Sequence, residues 1–247
     1  MKLIRIKKVY LFFIAVLGSM VSLPVAFSTP KSFIYKEGAK PKMVSEKSES
    51  AISKMYDSLK LNLSGLSQDA FDYAVKGYEY LKTKGKISNQ NVLTIADFTK
   101  PSSKKRLFIL DIKNYKVLFN TYVSHGQGSG AAMATEFSNI PESYQSSLGF
   151  YTTSTTYCGK NGFSLHLQGM ESGINDKAEE RAIVMHGAPY VSEGFINSRG
   201  FLGRSWGCPA VPEQLSKPII EKIKNGSCLF IFSENNKYLH SSKIINS

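Results

Sequence analysis

The sequence predicts a mainly β fold of the α+β class, with a short helical segment before the strands. Between residues 91 and 233, short runs of branched and aromatic residues alternate with turn residues such as glycine and asparagine, a pattern typical of sheet proteins. Residues 51–90 instead place apolar side chains three and four positions apart, as amphipathic helices do. With 247 residues in all, the chain is long enough for one substantial core.

Residues 1–28 have the pattern of a secretory signal peptide. Basic residues begin it, an apolar run from 9 to 21 follows, and Ala26 and Ser28 supply the small residues of a cleavage site. An uncleaved membrane anchor is the alternative, but the apolar run is shorter than the roughly 20 residues that span a bilayer. We therefore expect an exported protein, periplasmic or associated with the cell wall, that contacts the membrane only through this peptide before cleavage.

The chain is basic, with a formal net charge of +12 at pH 7. Loss of residues 1–28, which contain four basic and no acidic residues, lowers this charge to +8. A basic surface favours an anionic partner such as nucleic acid, an anionic membrane or a cell-wall polymer. Because the sequence has no dense Lys/Arg block and no nucleic-acid module, we expect a cell-wall partner and no nucleic acid. A solvated basic surface without a partner is the alternative.

Residues 29–50 are rich in Lys, Ser and Glu and predict a flexible tether. The helical segment at residues 51–90 contains two patterns, one around Met55 and one over residues 71–78. Ser67 is a typical N-cap for the second helix, because its side-chain oxygen can accept a hydrogen bond from the first turn.

The strands predicted after residue 91 share branched and aromatic side chains bounded by turns. One helix with an apolar face is predicted before the last strand, and residues 234–247 are interpreted as a polar tail. The predicted strands cover residues 92–98, 106–112, 117–123, 149–157, 163–167, 181–185 and 228–232, and the predicted helix covers residues 212–224.

Cys208 is the strongest candidate for chemistry in this sequence. A thiol is an effective nucleophile only as the thiolate, and a nearby imidazole lowers its pKa. His186 is the candidate base, because it ends an apolar run with strand character. Gly207 permits a sharp turn, and the N–H groups of Gly207 and Cys208 are expected to face a developing oxyanion. The alternative is a small buried thiol and a core histidine without a catalytic role.

The run Gly-Arg-Ser-Trp-Gly-Cys-Pro-Ala at residues 203–210 resembles the active-site signature of the YkuD-type L,D-transpeptidase catalytic domain family. In that family a histidine precedes the sequence Ser/Thr-His-Gly-Cys. Here 18 residues separate His186 from Ser205, slightly more than is usual, and Trp206 stands where the family usually has a second histidine. The run is similar to a divergent branch of the family. Stretches similar to that branch also lie at residues 94–98, 125–130, 137–139 and 146–150, and the resemblance extends over residues 61–232.

This resemblance implies a YkuD-like β-sandwich or barrel catalytic domain, placed here at residues 91–233. It implies acyl transfer on peptidoglycan stem peptides, forming 3→3 cross-links through a thioester on Cys208. His186 is then the base, and the carbonyl of Gly187 orients it. A monomer without any metal or organic cofactor is expected. The residues expected to contact the substrate are Ser205, Arg204, Trp206, Tyr157 and Lys160.

Three other functions stay open at the level of sequence. A cysteine L,D-carboxypeptidase or amidase would act on the same stems with water as the acceptor, and the departure at Trp206 keeps this option open. A non-catalytic cell-wall-binding protein would use only the basic surface and the cleft. A metallopeptidase would use His186 and Cys208 as ligands, but the sequence has no recognisable third ligand and no His-Glu-x-x-His motif.

Two other histidines and two other cysteines have structural interpretations. His125 begins a glycine-rich loop, His166 lies in an alternating strand, and both are predicted to be structural. Three cysteines leave at least one thiol unpaired. A disulfide between Cys158 and Cys228, or two free thiols, are both compatible with the sequence.

Overall fold

A computed structural model of the chain describes residues 54–247. The predicted signal peptide, the tether and the first residues of the predicted helical segment lie outside the described residues. Two helices begin the described part, α1 at Met55–Ser58 and α2 at Gln68–Thr83. Ser67 caps α2 as the sequence predicts, because its Oγ accepts a hydrogen bond from Ala70 N at 3.3 Å.

Eight strands form one mixed sheet. Their order is β3-β2-β1-β8-β4-β5-β6-β7. The pairs β1–β8 and β6–β7 are parallel, and the other neighbouring strands are antiparallel. The strands are β1 (Val92–Asp97), β2 (Leu107–Asp111), β3 (Lys116–Thr121), β4 (Gly149–Gly159), β5 (Gly162–Gly169), β6 (Val184–Ala188), β7 (Ala210–Pro212) and β8 (Cys228–Phe232).

The two ends of the sheet meet through the segment that follows β3. Ser124 pairs with Ala210 of β7, and its N–H donates to the Ala210 carbonyl at 2.8 Å. Two residues later, Gly126 pairs with Ser205. The sheet therefore closes almost completely on itself, and the mainly β, barrel-like sandwich expected from the sequence is confirmed. The same closure brings the glycine-rich loop beside the segment that carries Cys208.

Three more helices complete the described fold: α3 (Glu193–Arg199), α4 (Glu213–Ile223) and α5 (Asn236–Ser241). Helix α4 corresponds to the helix predicted at residues 212–224, and Pro218 lies inside it. The sequence pattern does not predict α3, and the segment interpreted as a polar tail contains α5, which buries Tyr238. Within residues 54–247, no helix has the length and apolar character that crossing a bilayer requires.

The core lies between the sheet and the helices that pack on it. Every residue of β1 and β8 is buried. The rings of Phe150 and Phe230 stack with centroids 4.1 Å apart. Helix α2 approaches these rings most closely at Gly77, where a Cβ would lie 2.0 Å from the Phe150 ring. A glycine is therefore required for the helix to pack at this depth.

The predicted strand at residues 181–185 begins later than expected. Residues before Val184 form turns, in which Arg181 N donates to Lys177 O and Ile183 N donates to Ala178 O. Arg181 is therefore outside the sheet, and its guanidinium lies near Gly207.

Candidate active site

Cys208 and His186 are brought together by the parallel pairing of β6 and β7. His186 pairs in register with Ala210, two residues after Cys208. Both side chains line one cleft of about 550 Å³. Parallel strands are joined by a crossover connection, so residues that pair across them are distant in sequence. His186 and Ala210 are therefore neighbours in the sheet although 23 residues lie between them in the chain.

The ring of His186 is fixed in one orientation by its own backbone neighbour. Nδ1 lies 2.9 Å from the Gly187 carbonyl oxygen, which can only accept a hydrogen bond, so Nδ1 carries the proton. Nε2 is then unprotonated, and within residues 54–247 it has no hydrogen-bond partner. Burial lowers the pKa of His186, and the bond to Gly187 partly offsets this effect. The imidazole is therefore neutral near pH 7 with Nε2 open as a base.

The thiol of Cys208 is half-buried at the floor of the cleft. Val184 N donates to Sγ at 3.5 Å, and Sγ lies 3.7 Å from the Ala182 carbonyl. Burial raises the pKa of the thiol, whereas the Val184 N–H and the Arg181 guanidinium lower it, and the net pKa lies above the ordinary value. The resting thiol therefore keeps its proton, and its reaction as a nucleophile requires a base.

Gly207 has a backbone conformation that few other residues adopt. Its φ is +125°, and a Cβ at this position would lie 2.8 Å from the Gln145 carbonyl oxygen. Its N–H donates to Ser205 Oγ at 3.1 Å. Of the two N–H groups expected to face an oxyanion, the Gly207 N–H is thus engaged within the loop. The Cys208 N–H has no hydrogen-bond acceptor among the described residues.

Ser205 shapes the loop that presents Cys208. Its buried hydroxyl donates to the Cys208 carbonyl at 2.6 Å while accepting from the Gly207 N–H. Its backbone N–H donates to the His125 carbonyl at 3.0 Å. The hydroxyl is therefore used as donor and as acceptor inside the loop, while Ser205 also lines the cleft.

The other residues expected to bind substrate divide into two groups. Arg204, Trp206 and Lys160 line the cleft with Cys208. Arg204 Nη1 also donates to the Gly130 carbonyl at 2.9 Å. Tyr157 is not among the residues that line the cleft. Its ring stacks on His166 with centroids 4.6 Å apart.

Arg181 is a cleft residue that the sequence analysis did not identify. Its guanidinium donates to the Ser138 carbonyl, to the Ser147 and Ser143 hydroxyls and to the Gln145 carbonyl. These bonds fix the segment 138–147 and hold a positive charge close enough to lower the pKa of Cys208. Arg181 is the first residue of a strand predicted at 181–185, and no sequence signal distinguishes it as a cleft residue.

Tyr190 is a second cleft residue outside the sequence-based candidates. Burial, with a contribution from the nearby Cys208, raises the pKa of Tyr190 to about 12. The ring packs against Gly203, where a Cβ would lie 2.4 Å from Tyr190 Cβ. At physiological pH the phenol of Tyr190 is therefore uncharged, and the residue forms part of the cleft lining.

His125 lies close to this site but has a different environment. It is fully buried, its Nδ1 lies 2.7 Å from Arg106 Nη2, and its Nε2 lies 3.3 Å from the Gly130 carbonyl. Arginine can only donate and the carbonyl can only accept, so Nδ1 is the acceptor and Nε2 carries the proton. Burial and the neighbouring Arg106 lower the pKa of His125 to about 4. Both ring nitrogens are engaged, which places His125 as a structural residue.

No group of three or more His, Cys, Asp or Glu side chains that could hold a metal ion occurs within residues 54–247. The three cysteines of this part of the chain are free. Cys158 lies near the tip of the β4–β5 hairpin and Cys228 is buried at the start of β8.

The chain is similar to a known catalytic domain over most of its length. Residues 62–232 match the model of a family described as L,D-transpeptidase catalytic domain. No curated protein matches the chain significantly.

Several solved structures resemble the chain at low sequence identity. An L,D-transpeptidase from Mycobacterium smegmatis is 13% identical over 58% of this chain and 59% of that chain, with a TM-score of 0.36. The helical cell shape determining protein Pgp2 from Campylobacter jejuni is 13% identical over 65% and 57% of the two chains, with a TM-score of 0.37. An L,D-transpeptidase from Xylanimonas cellulosilytica is 12% identical over 72% and 92%, with a TM-score of 0.31. The chain thus spans less than two thirds of the length of the first two.

Proposed function

Because this chain belongs to the L,D-transpeptidase catalytic domain family, we propose that it is an exported cysteine acyltransferase that cross-links peptidoglycan stem peptides. The observation that carries the proposal is the cleft shared by Cys208 and His186. In this cleft the histidine has Nδ1–H anchored on Gly187 and Nε2 open. A nucleophile beside an oriented base is the arrangement that acyl transfer requires.

The first half of the reaction forms a thioester. His186 Nε2 takes the proton of Cys208 Sγ, and the thiolate attacks the carbonyl carbon of the third stem residue, a diamino acid, at its L centre. The C–N bond to the terminal D-alanine breaks, and the proton on Nε2 passes to the leaving amine. Because the resting thiol pKa lies above the ordinary value, this proton transfer accompanies the attack.

The second half of the reaction transfers the acyl group. The side-chain amine of a second stem attacks the thioester carbon, its proton passes to His186 Nε2, and the C–S bond breaks. The proton then returns to Sγ and restores the thiol. The product is a 3→3 cross-link, whereas water as the attacking group would release a shortened tripeptide.

Charge in the cleft supports this substrate class. Three cationic side chains, Lys160, Arg181 and Arg204, line the cleft together with one acidic residue, Glu213. The stem carries carboxylates at its terminal D-alanine and at its diamino acid, so a cationic cleft is complementary to it. The Cys208 N–H is the backbone donor best placed to meet the oxyanion, because it lacks an acceptor among the described residues.

The proposal extends to location and assembly. We place the protein in the periplasm or at the cell wall, on the basis of the predicted signal peptide, and we propose that it works as a monomer. Peptidoglycan stem peptides are its proposed partner, with no nucleic acid involved.

Mass spectrometry of reaction products tests this function. The full-length chain, its Cys208→Ala variant and a Cys158→Ala variant would each be incubated with purified tetrapeptide muropeptides. Cys158→Ala is a matched control, because it removes an exposed thiol away from the cleft. We expect dimers lacking one D-alanine with the wild type and with Cys158→Ala, and unchanged substrate with Cys208→Ala.

Two other results would change the proposal. Tripeptides without dimers would replace the transpeptidase by a carboxypeptidase. Unchanged substrate with all three proteins, and no acyl mass on Cys208, would overturn the enzymatic function and favour a wall-binding protein.

A further inference from the structure

An exposed pair of aromatic rings lies at the mouth of the cleft. Trp206 is 71% exposed and Tyr144 is 41% exposed. Their ring centroids are 5.5 Å apart with an angle of 58° between the planes. Large aromatic side chains are rarely left in contact with water side by side unless a partner covers them. We call these two rings the aromatic pair.

The aromatic pair is held in place by the backbone on both sides. Ser146 Oγ donates to the Gly207 carbonyl at 3.1 Å and accepts from Gly126 N at 3.0 Å, which links the two ring-bearing segments. The Tyr144 carbonyl accepts from Gly128 N at 2.9 Å. Arg181 binds the residues on either side of Tyr144. The rings therefore project from two fixed segments, and binding a ligand there requires little ordering of the backbone.

The aromatic pair lies close to Cys208, the proposed nucleophile. Trp206 lines the cleft and lies two residues before Cys208, so their Cα atoms are separated by on the order of 7 Å at most. Tyr144 lies on Trp206 and is not a lining residue of the cleft. A ligand that leaves the cleft over Trp206 therefore reaches Tyr144 next.

The length of the stem peptide matches this layout. If the third stem residue is at Cys208, that residue and the two before it lie between the reacting carbonyl and the sugar end of the stem. Three extended residues span on the order of 10 Å, enough to carry the sugar past the Cα of Trp206 toward Tyr144. A pyranose ring presents an apolar C–H face that packs on an aromatic ring, while its hydroxyls remain in water near the indole N–H and the phenol O–H.

We propose that Trp206 and Tyr144 form a platform for a pyranose ring of the glycan strand, so that the enzyme recognises its substrate as a glycopeptide and not as a free peptide. This inference rests on the proposed function, because it takes the stem peptide as the ligand of the cleft. A second copy of this chain and an apolar peptide are the other possible occupants, and the experiments below distinguish them.

A binding measurement tests the platform without catalysis. Trp206 is the single tryptophan of the chain, so its fluorescence reports on this surface alone. The Cys208→Ala chain would be titrated with the peptide-free disaccharide of peptidoglycan. We expect a saturable change in emission, weakened at least about threefold in affinity by a further Tyr144→Ala change and unaffected by Tyr115→Ala.

Tyr115 is a closely matched control. It is 40% exposed with φ of +53°, and Tyr144 is 41% exposed with the same φ, but Tyr115 lies in the turn between β2 and β3. No emission change with the disaccharide would overturn the platform. An emission change that depends on protein concentration without any sugar would overturn it in favour of self-association.

A kinetic comparison gives a second test and separates the two proposals. Wild type and Tyr144→Ala would be compared with a free tetrapeptide and with the same tetrapeptide on its disaccharide. Because Tyr144 does not line the cleft, we expect Tyr144→Ala to lower kcat/KM at least about threefold for the glycopeptide and to leave the value for the free peptide nearly unchanged. Equal losses for both substrates would overturn the platform and show that Tyr144 acts on the peptide or on the cleft itself. A wild type inactive on both substrates would overturn the proposed function, while the fluorescence titration would still decide whether a sugar binds.

Discussion

Two histidines lie on opposite sides of the short strand β7, and they carry their proton on different ring nitrogens. Ser124, next to His125, pairs with Ala210 from one side, and His186 pairs with the same residue from the other. His125 has both nitrogens engaged, by Arg106 and by the Gly130 carbonyl. His186 has only Nδ1 engaged, by the Gly187 carbonyl. Both rings are buried, with at most 4% of the residue exposed.

The difference shows that burial alone does not decide the role of a histidine. What distinguishes the two is whether one nitrogen is left open toward a cavity. In His186 the anchored Nδ1 fixes the ring and leaves Nε2 unprotonated and without a hydrogen-bond partner among the described residues, as the proposed base requires. In His125 the two bonds hold the ring between Arg106 and the loop that contains Gly130. The two histidines can therefore be compared by exchanging each for an uncharged amide side chain that cannot act as a base.

The largest effect is expected for the base. His186→Gln removes the group that we propose takes the thiol proton, and we expect kcat/KM with tetrapeptide muropeptides to fall by about 10³-fold. His125→Asn keeps an acceptor for Arg106, and we expect a loss of less than about tenfold, because His125 does not line the cleft and its bond to Ser205 is made by the backbone carbonyl, which the variant retains. Steady-state kinetics of both variants checks this order. Similar losses in the two variants would contradict the assignment of His186 as the base.

An intermediate effect is expected for stability in acid. The pKa of His125 in the folded protein, about 4, lies below its ordinary value of 6.5, so the unfolded chain binds this proton more readily. Above about pH 6.5, His125 therefore contributes about 3 kcal/mol to the free energy of unfolding. This contribution is lost as the pH falls toward 4. Urea denaturation of the wild type from pH 7.5 to 4.5 should show the fall.

The same measurement on variants identifies the residue responsible. His125→Asn should flatten the fall between pH 6.5 and 4.5, even if its stability at pH 7.5 is lower. His186→Gln should flatten it less, although burial also lowers the pKa of His186. Burial raises the pKa of Glu171, so this residue makes the folded protein more stable as the pH falls. Its effect opposes that of the histidines and is the same in both variants. An unchanged slope in His125→Asn would show that another group causes the acid sensitivity.

The smallest effect is expected for the charge that faces the thiol. Arg181 lowers the pKa of Cys208, so Arg181→Gln should raise that pKa and slow alkylation of Cys208 by iodoacetamide at pH 7 by about threefold to tenfold. The measurement uses a Cys158→Ala background, so that Cys208 is the accessible thiol. Arg204→Gln is the control, because Arg204 lines the same cleft but does not shift the thiol pKa. Equal slowing in both variants would indicate a general loss of cleft structure.

Local patterns predicted much of the fold. Ser67 marked the start of α2, the branched runs marked most strands, and the run at residues 203–210 led to the correct family. The fold class and the family are confirmed, whereas the roles of Cys208, His186, Gly187 and Gly207 stay predictions. Local patterns succeeded here because capping and strand alternation depend on neighbours in sequence.

What the sequence missed depends on contacts between distant segments. Helix α3 has no buried residue, so it leaves no apolar periodicity to detect. Arg181 acquires its position through bonds to the segment 138–147, and an arginine at the start of a predicted strand gives no sign of them. The engagement of the Gly207 N–H by Ser205 likewise follows from a turn whose geometry the residue types alone do not define.

The central position of β8 has a consequence for how the chain is synthesised. This strand is made last of the eight, yet it lies between β1 and β4. A nascent chain that ends before residue 228 has two groups of strands, β3-β2-β1 and β4-β5-β6-β7, and the edges of β1 and β4 that face each other have no partner strand. The sheet is therefore completed only after residues 228–232 have been made, and until then these open strand edges are prone to aggregation. If the protein is exported as proposed, the same delay keeps the chain unfolded and able to pass through a translocation pore.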